Sequence, residues 1–154
     1  MGRILDMVGR FLEEDDWPFS LVEGRSAYKT AFEGKNGQFA CYAQERAEQE
    51  QFVFYSIFPA HAPENCLAEV VEFITRANSG MVIGNFELDY EDGEIRYKAS
   101  LDVEDVEIVE PLIRHLIYAN VLTMDRYFPG LMRVIYAGID PVDAIEEVEG
   151  GRTG

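Results

Sequence analysis

Two dipeptides, Asn36-Gly37 and Asp92-Gly93, constrain what this chain can fold into more than any other feature. An Asn-Gly or Asp-Gly pair between apolar runs predicts a tight hairpin, because a type I′ turn needs positive φ at both central residues. Each such turn commits its flanks to antiparallel pairing. As a two-residue loop, Asn36-Gly37 sets Phe32 opposite Cys41 and Ala31 opposite Tyr42. Asp92-Gly93 sets Leu88 opposite Tyr97, with Asp89 against Arg96 and Glu87 against Lys98 on the other side.

Around these hairpins the apolar spacing predicts helices. Ile4, Leu5, Val8, Phe11 and Leu12 recur with helical period. Glu13 to Asp16 then oppose the macrodipole at the helix C-terminus, and Trp17-Pro18 disfavours the α region, so the helix is expected to stop there. Aromatic and β-branched runs follow from Ser26 to Phe58, with the polar stretch Gln44 to Gln51 reversing the chain. A second helix enters at Pro63, buries Leu67, Val70, Val71, Ile74 and Ala77, and ends at Asn78-Ser79-Gly80. Pro111 opens a long helix in which Pro129-Gly130 predicts a kink or a fresh start, and Asp140-Pro141 caps a short last one. Helix, about four strands, helix, two strands and helices together predict one α+β domain over residues 1–149, an antiparallel sheet with helices packed on one face. Residues 150–154 read as a flexible tail.

Charge narrows the partners. With 13 Lys+Arg against 29 Asp+Glu the formal net charge is −16, a field that repels phosphate backbones and anionic head groups. Nucleic acid and membrane are therefore not expected as partners. No run approaches the ~18 apolar residues of a membrane span, and Met1 to Arg10 lack a signal-peptide core, so a cytoplasmic protein is expected. Cys41 and Cys66 lie in apolar stretches without CxxC spacing and read as reduced packing residues.

No motif assembles chemistry. Asp89 to Glu94 superficially looks like a calcium loop, but its glycine falls one position early and hairpin turn chemistry accounts for the run. Two histidines and two cysteines, scattered along the chain, are too few to suggest a zinc site. The pairs Cys66/His61 and Cys41/His115 have no local nucleophile signature, and no phosphate-binding glycine run exists. Neither catalytic residues nor metal or cofactor ligands are expected, and the chain reads as a non-enzyme.

What stands out is the strand Phe52-Val53-Phe54-Tyr55-Ser56-Ile57-Phe58, apolar on both faces, beside Phe39 and Tyr42. A sheet with helices on one side normally alternates, polar toward water. Either both faces are covered within the chain, by its tail or first helix, or one is an apolar patch that meets another polypeptide.

Several segments in combination resemble the YbjN family of bacterial proteins: Arg76-Ala77-Asn78 with Gly80-Met81, Ile83 to Asp89, Asp92 to Lys98, Tyr127-Phe128-Pro129-Gly130-Leu131 and Val134-Ile135-Tyr136. The resemblance is best from Pro63 to Glu149. It implies a fold similar to type III secretion chaperones, which bind other proteins and have no catalytic centre. It also implies a regulator of sensory transduction or stress response. No catalytic residues come with it.

The sequence thus points to a non-enzymatic protein-binding domain, expected as a homodimer, with Tyr42, Phe52 and Phe54 on its partner-binding surface. The acidic surround is expected to favour basic or neutral partners. The rival reading is an effector-binding domain with a small-molecule pocket between sheet and long helix, and Asn85, Asn120 and Arg126 at its mouth.

Overall fold

The protein is described here by a computed structural model covering residues 2–150. Helix α1 (Arg3–Glu14) buries Ile4, Leu5, Val8, Phe11 and Leu12. Its first turn has no cap of its own; instead the Glu45 carboxylate, buried on the sheet, accepts the Leu5 N–H at 3.0 Å and sits where the helix dipole favours negative charge. The helix stops where the sequence predicts. Asp16 takes φ 60°, and the Trp17 N–H closes on the Leu12 carbonyl at 2.8 Å. Asp15 accepts hydrogen bonds from the Tyr118 hydroxyl and, at 2.8 Å, from the Trp17 indole, and in that order these hold its carboxyl below the usual range.

Six strands follow: β1 (Phe19–Leu21), β2 (Ala27–Glu33), β3 (Gln38–Arg46), β4 (Gln51–Ile57), β5 (Asn85–Leu88) and β6 (Ile95–Asp102). They form one antiparallel sheet in the order β1-β2-β3-β4-β6-β5. Both hairpins exist, each with its register displaced by two residues from the expected one. Phe32 pairs with Phe39, not Cys41, and Leu88 pairs with Ile95, not Tyr97. A displacement of two keeps every side chain on its expected face.

The first displacement has a physical cause. Neither Asn36 nor Gly37 takes a positive φ, so the type I′ turn does not form. The loop is Gly34–Gly37, closed by the Gly34 N–H on the Gly37 carbonyl at 2.8 Å and docked onto helix α3 (Glu110–Tyr136). There the buried Asp125 carboxylate accepts the Lys35 and Asn36 N–H groups at 3.1 and 2.9 Å. Gly37 is needed for proximity, since a Cβ on it would stand 2.4 Å from the Phe128 ring. In the second hairpin Gly93 does take a positive φ of 79°, within the longer loop Asp89–Glu94.

Helix α2 (Leu67–Asn78) is preceded by a 3-10 turn over Glu64–Cys66, with Pro63 as its cap. Helix α3 runs through Pro129 for 27 residues, so no fresh helix begins there. The missing N–H of Pro129 would otherwise orphan the carbonyl of Asp125, four residues back. The Asn36 side-chain amide donates to that carbonyl at 3.0 Å in its place. Gly130 lets Phe73 of α2 approach, where a Cβ would be 2.5 Å from the ring. Asp140 accepts the Val142 N–H at 2.8 Å and so caps α4 (Pro141–Gly150). Gly150 therefore closes a helix; the rest of the expected tail, 151–154, lies outside the described residues.

The result is the expected α+β arrangement, six antiparallel strands with four helices on one side. Between the layers lie Phe39, Cys41 and Ala43 of β3, Phe52 and Phe54 of β4, and Ile95, Tyr97 and Ala99 of β6, packed against α1, α2 and α3. Asn120 of α3 is wholly buried among them. It accepts the Ser56 hydroxyl at 2.5 Å and donates to the Phe54 and Tyr97 carbonyls at 2.9 and 3.1 Å, fastening the helix across β4 and β6.

Candidate functional site

The register decides which side chains face away from the helices. Residues directly opposite in an antiparallel pair project from the same face. Reading across the strands from Tyr42 gives a transverse row, Ser20, Lys29, Tyr42, Tyr55, Lys98 and Asn85. The parallel row on one side is Ala31, Ala40, Ile57, Arg96 and Glu87; on the other it is Ala27, Gln44, Val53 and Ser100. Among the described residues no helix lies over this face, and most of its side chains are half-buried or exposed.

Its centre is aromatic and its flanks are basic. Tyr42 and Tyr55 stand side by side; the Lys29 ammonium lies 5.9 Å from the Tyr42 ring centre and the Arg96 guanidinium 4.8 Å from that of Tyr55. Alanines 27 and 40 leave a hollow of about 430 Å³ beside the rings, bounded also by Val22, Arg25, Ile57 and Arg96. On the β5 side Glu87 accepts from Arg96 at 2.9 Å and Lys98 at 2.7 Å. Burial pushes the Glu87 carboxyl up, but the hydrogen bonds and charges of Lys98 and Arg96 outweigh it, leaving it below its ordinary value.

Two of the three expected surface aromatics are corrected. Phe52 and Phe54 are both 0% exposed and lie in the core beneath the helices, so neither reaches a partner in the folded chain. Tyr42 does lie on the open face, and its neighbour there is Tyr55. Parity is the reason. The chain reverses over residues 47–50, which makes Tyr42 face Tyr55 and sends Phe52 and Phe54 to the opposite side. Strand β4 is apolar on both faces because one is core and the other carries Val53, Tyr55 and Ile57.

The residues of the rival pocket do not converge. Asn85 sits at the sheet edge on the open face, and Asn120 is consumed in the core. Arg126 lies against the Tyr127 ring at 5.1 Å, its Nη2 buried without a hydrogen-bond partner, and lines a hollow of about 530 Å³ with Tyr97 of β6 and Met81 and Ile83 before β5, a lining that includes neither Asn85 nor Asn120. Side chains of the core fill the interlayer space around Asn120.

Other chemistry is equally accounted for. Cys41 is buried beside the Ser56 hydroxyl, and burial pushes its thiol up to about 12, which keeps it un-ionised and a poor nucleophile. His115 is exposed, and His61 meets the Asp92 carbonyl at 2.7 Å in the second hairpin loop. Among the described residues no group of three or more His, Cys, Asp or Glu is placed to hold a metal ion, and no helix is long and apolar enough to cross a membrane.

A model of the family YbjN, described as "Putative bacterial sensory transduction regulator", matches residues 5–133. Among solved structures, the crystal structure of YbjN from E. coli, titled a "putative transcription regulator", superposes with a TM-score of 0.62 at 11% identity, over 79% of this chain and 85% of that one. The ExsC-ExsE complex contains a chain matching at a TM-score of 0.53 and 11% identity, over 82% of this chain and 92% of that one. The HopA1-SchA chaperone-effector complex gives a TM-score of 0.49 at 15% identity, over 83% and 97%. No protein with a curated description matches the sequence. At such identities the structural likenesses speak to the fold alone.

Proposed function

The chain belongs to the YbjN family and has the type III secretion chaperone-like fold, and from that premise we propose that it is a non-enzymatic regulatory domain that binds another protein through the open face of its sheet. The observation that carries this reading is the half-buried Tyr42–Tyr55 pair at the centre of a sheet face that no helix of the described residues covers. Paired tyrosines give rigid contact area at small entropic cost, and a hollow of about 430 Å³ beside them admits a partner side chain. The match to a chain of the ExsC-ExsE complex adds a fold-level analogy to protein recognition. The same reading has the protein acting in the cytoplasm as a homodimer, which sedimentation equilibrium checks as twice the chain's 17.5 kDa.

Site-specific photo-crosslinking in bacterial cells tests the surface. A photoreactive phenylalanine at position 42 or 55 is expected to yield a discrete polypeptide adduct, and one at Leu122, 54% exposed on α3, is not. No adduct at 42 or 55, or the same adduct from position 122, overturns the proposal.

A further inference from the structure

The open face has a charge character that the whole chain does not share. Acidic residues outnumber basic ones 29 to 13, yet Arg25, Lys29, Arg46, Arg96 and Lys98 all line or border this one face. Arg25, Lys29 and Arg46 make no ion pair within the described residues. Arg96 and Lys98 share the single carboxylate of Glu87, with Glu94 3.9 Å from Arg96 at the margin. Two further acids stand at the ends of strands on this face: Asp102 of β6, which receives the Gln51 amide at 3.0 Å, and Glu33 of β2. In a chain so rich in carboxylates, cations left unpaired around two half-buried rings on an open face constitute a surface complementary to negative charge. This replaces the expectation of a basic or neutral partner drawn from the net charge.

Resting on the reading above, we infer that the open face receives an acidic, extended polypeptide segment that crosses the strands, apolar side chains on Tyr42 and Tyr55 and carboxylates at Lys29 and at the Arg96–Lys98 pair. Lys29 and Lys98 are three strand spacings apart, roughly 14 Å at ~4.8 Å each, a span covered by about four residues of extended chain. The segment therefore carries its acids about four positions apart, with aromatic, aliphatic or prolyl residues between them. Folded nucleic acid meets the same cations but also the field of the surrounding acidic surface, which a short peptide reaches past.

Synthetic dodecapeptides test this on the full chain. One carries two glutamates four residues apart around Leu-Tyr-Pro; two others carry glutamine or lysine at those positions; single-stranded oligo(dT) of equal length is the fourth probe. Binding is read by backbone amide shifts and fluorescence anisotropy at physiological salt. The glutamate peptide is expected to perturb β2, β3, β4 and β6 and to bind about tenfold tighter than the glutamine peptide, with Lys29→Glu removing that advantage. Equal binding of glutamate and glutamine peptides on this face overturns the acid preference and leaves sheet-face docking standing. Tighter binding of oligo(dT) overturns the polypeptide assignment. If none of the probes perturbs the face while crosslinking at position 42 still yields an adduct, the inferred segment is wrong and the protein-binding reading survives.

Discussion

The fastening of the β2–β3 hairpin to α3 makes a quantitative prediction about Pro129. Proline in a helix interior costs about 3 kcal/mol in part because it strips a donor from the carbonyl four residues back. Here that carbonyl, on Asp125, receives the Asn36 side-chain amide at 3.0 Å. Asn36→Ala leaves the backbone N–H of residue 36 on the Asp125 carboxylate but removes the amide, orphaning a part-buried acceptor at a cost of about 1–3 kcal/mol. In a Pro129→Ala background the helix supplies its own N–H, and the same substitution is expected to cost only about 0.5 kcal/mol. The double-mutant cycle should therefore show a coupling of about 0.5–2.5 kcal/mol, read from urea unfolding of the four proteins with unchanged m-values. Additivity to within about 0.5 kcal/mol would refute the idea that Asn36 stands in for the missing helical donor.

Phe54→Asp places an unpaired carboxylate in a fully buried site and removes a ring whose loss alone costs about 3–5 kcal/mol, so the chain is expected not to fold; Tyr42→Asp should keep its circular dichroism and lose about 1 kcal/mol or less. The Glu87 carboxyl, held below its ordinary 4.5 in the folded state, stabilises the fold fully above that pH, and this contribution is lost as pH falls through the folded pKa. Glu87→Gln is therefore expected to destabilise near neutrality, with the difference from the parent closing as pH falls below 4.5 and through the lower folded pKa; a gap that stays constant contradicts the ion-pair account. Disulfide-exchange titration at pH 8 should find Cys41, its thiol pushed up to about 12, unreactive in the native protein and reactive in urea, with the half-buried Cys66 labelled first.

Much of the fold was legible because local chemistry and tertiary structure agree. Trp17-Pro18 ends α1, Asp140-Pro141 starts α4, and both hairpins stand where Asn-Gly and Asp-Gly occur. Where tertiary contacts overrule local preference, the reading drifts. The docking of Gly34–Gly37 on Asp125 lengthens the first loop, and Asn36 makes a helix continuous across Pro129. The site was harder for a related reason. Which side Phe54 takes depends on the parity of a reversal over residues 47–50, and its left-handed residue, Glu50 at φ 53°, is not a glycine that would mark it. Tyr55 and the flanking cations could have been found by extending each strand in alternation from Tyr42, had the length of that reversal been readable. The basic character of the face is invisible in the net charge, since it arises only when Lys29, Arg96 and Lys98 are brought alongside the tyrosines from strands far apart in sequence.

The central claim is that the open sheet face binds a protein, and the double variant Tyr42→Asp, Tyr55→Asp tests it most directly. Once the partner crosslinked through position 42 has been identified and purified, titration calorimetry of the parent and the folded double variant gives the answer. The account predicts a loss of affinity of at least about a hundredfold with the melting temperature little changed, as expected when a central aromatic pair is removed. Undiminished binding by a variant that remains folded would contradict it.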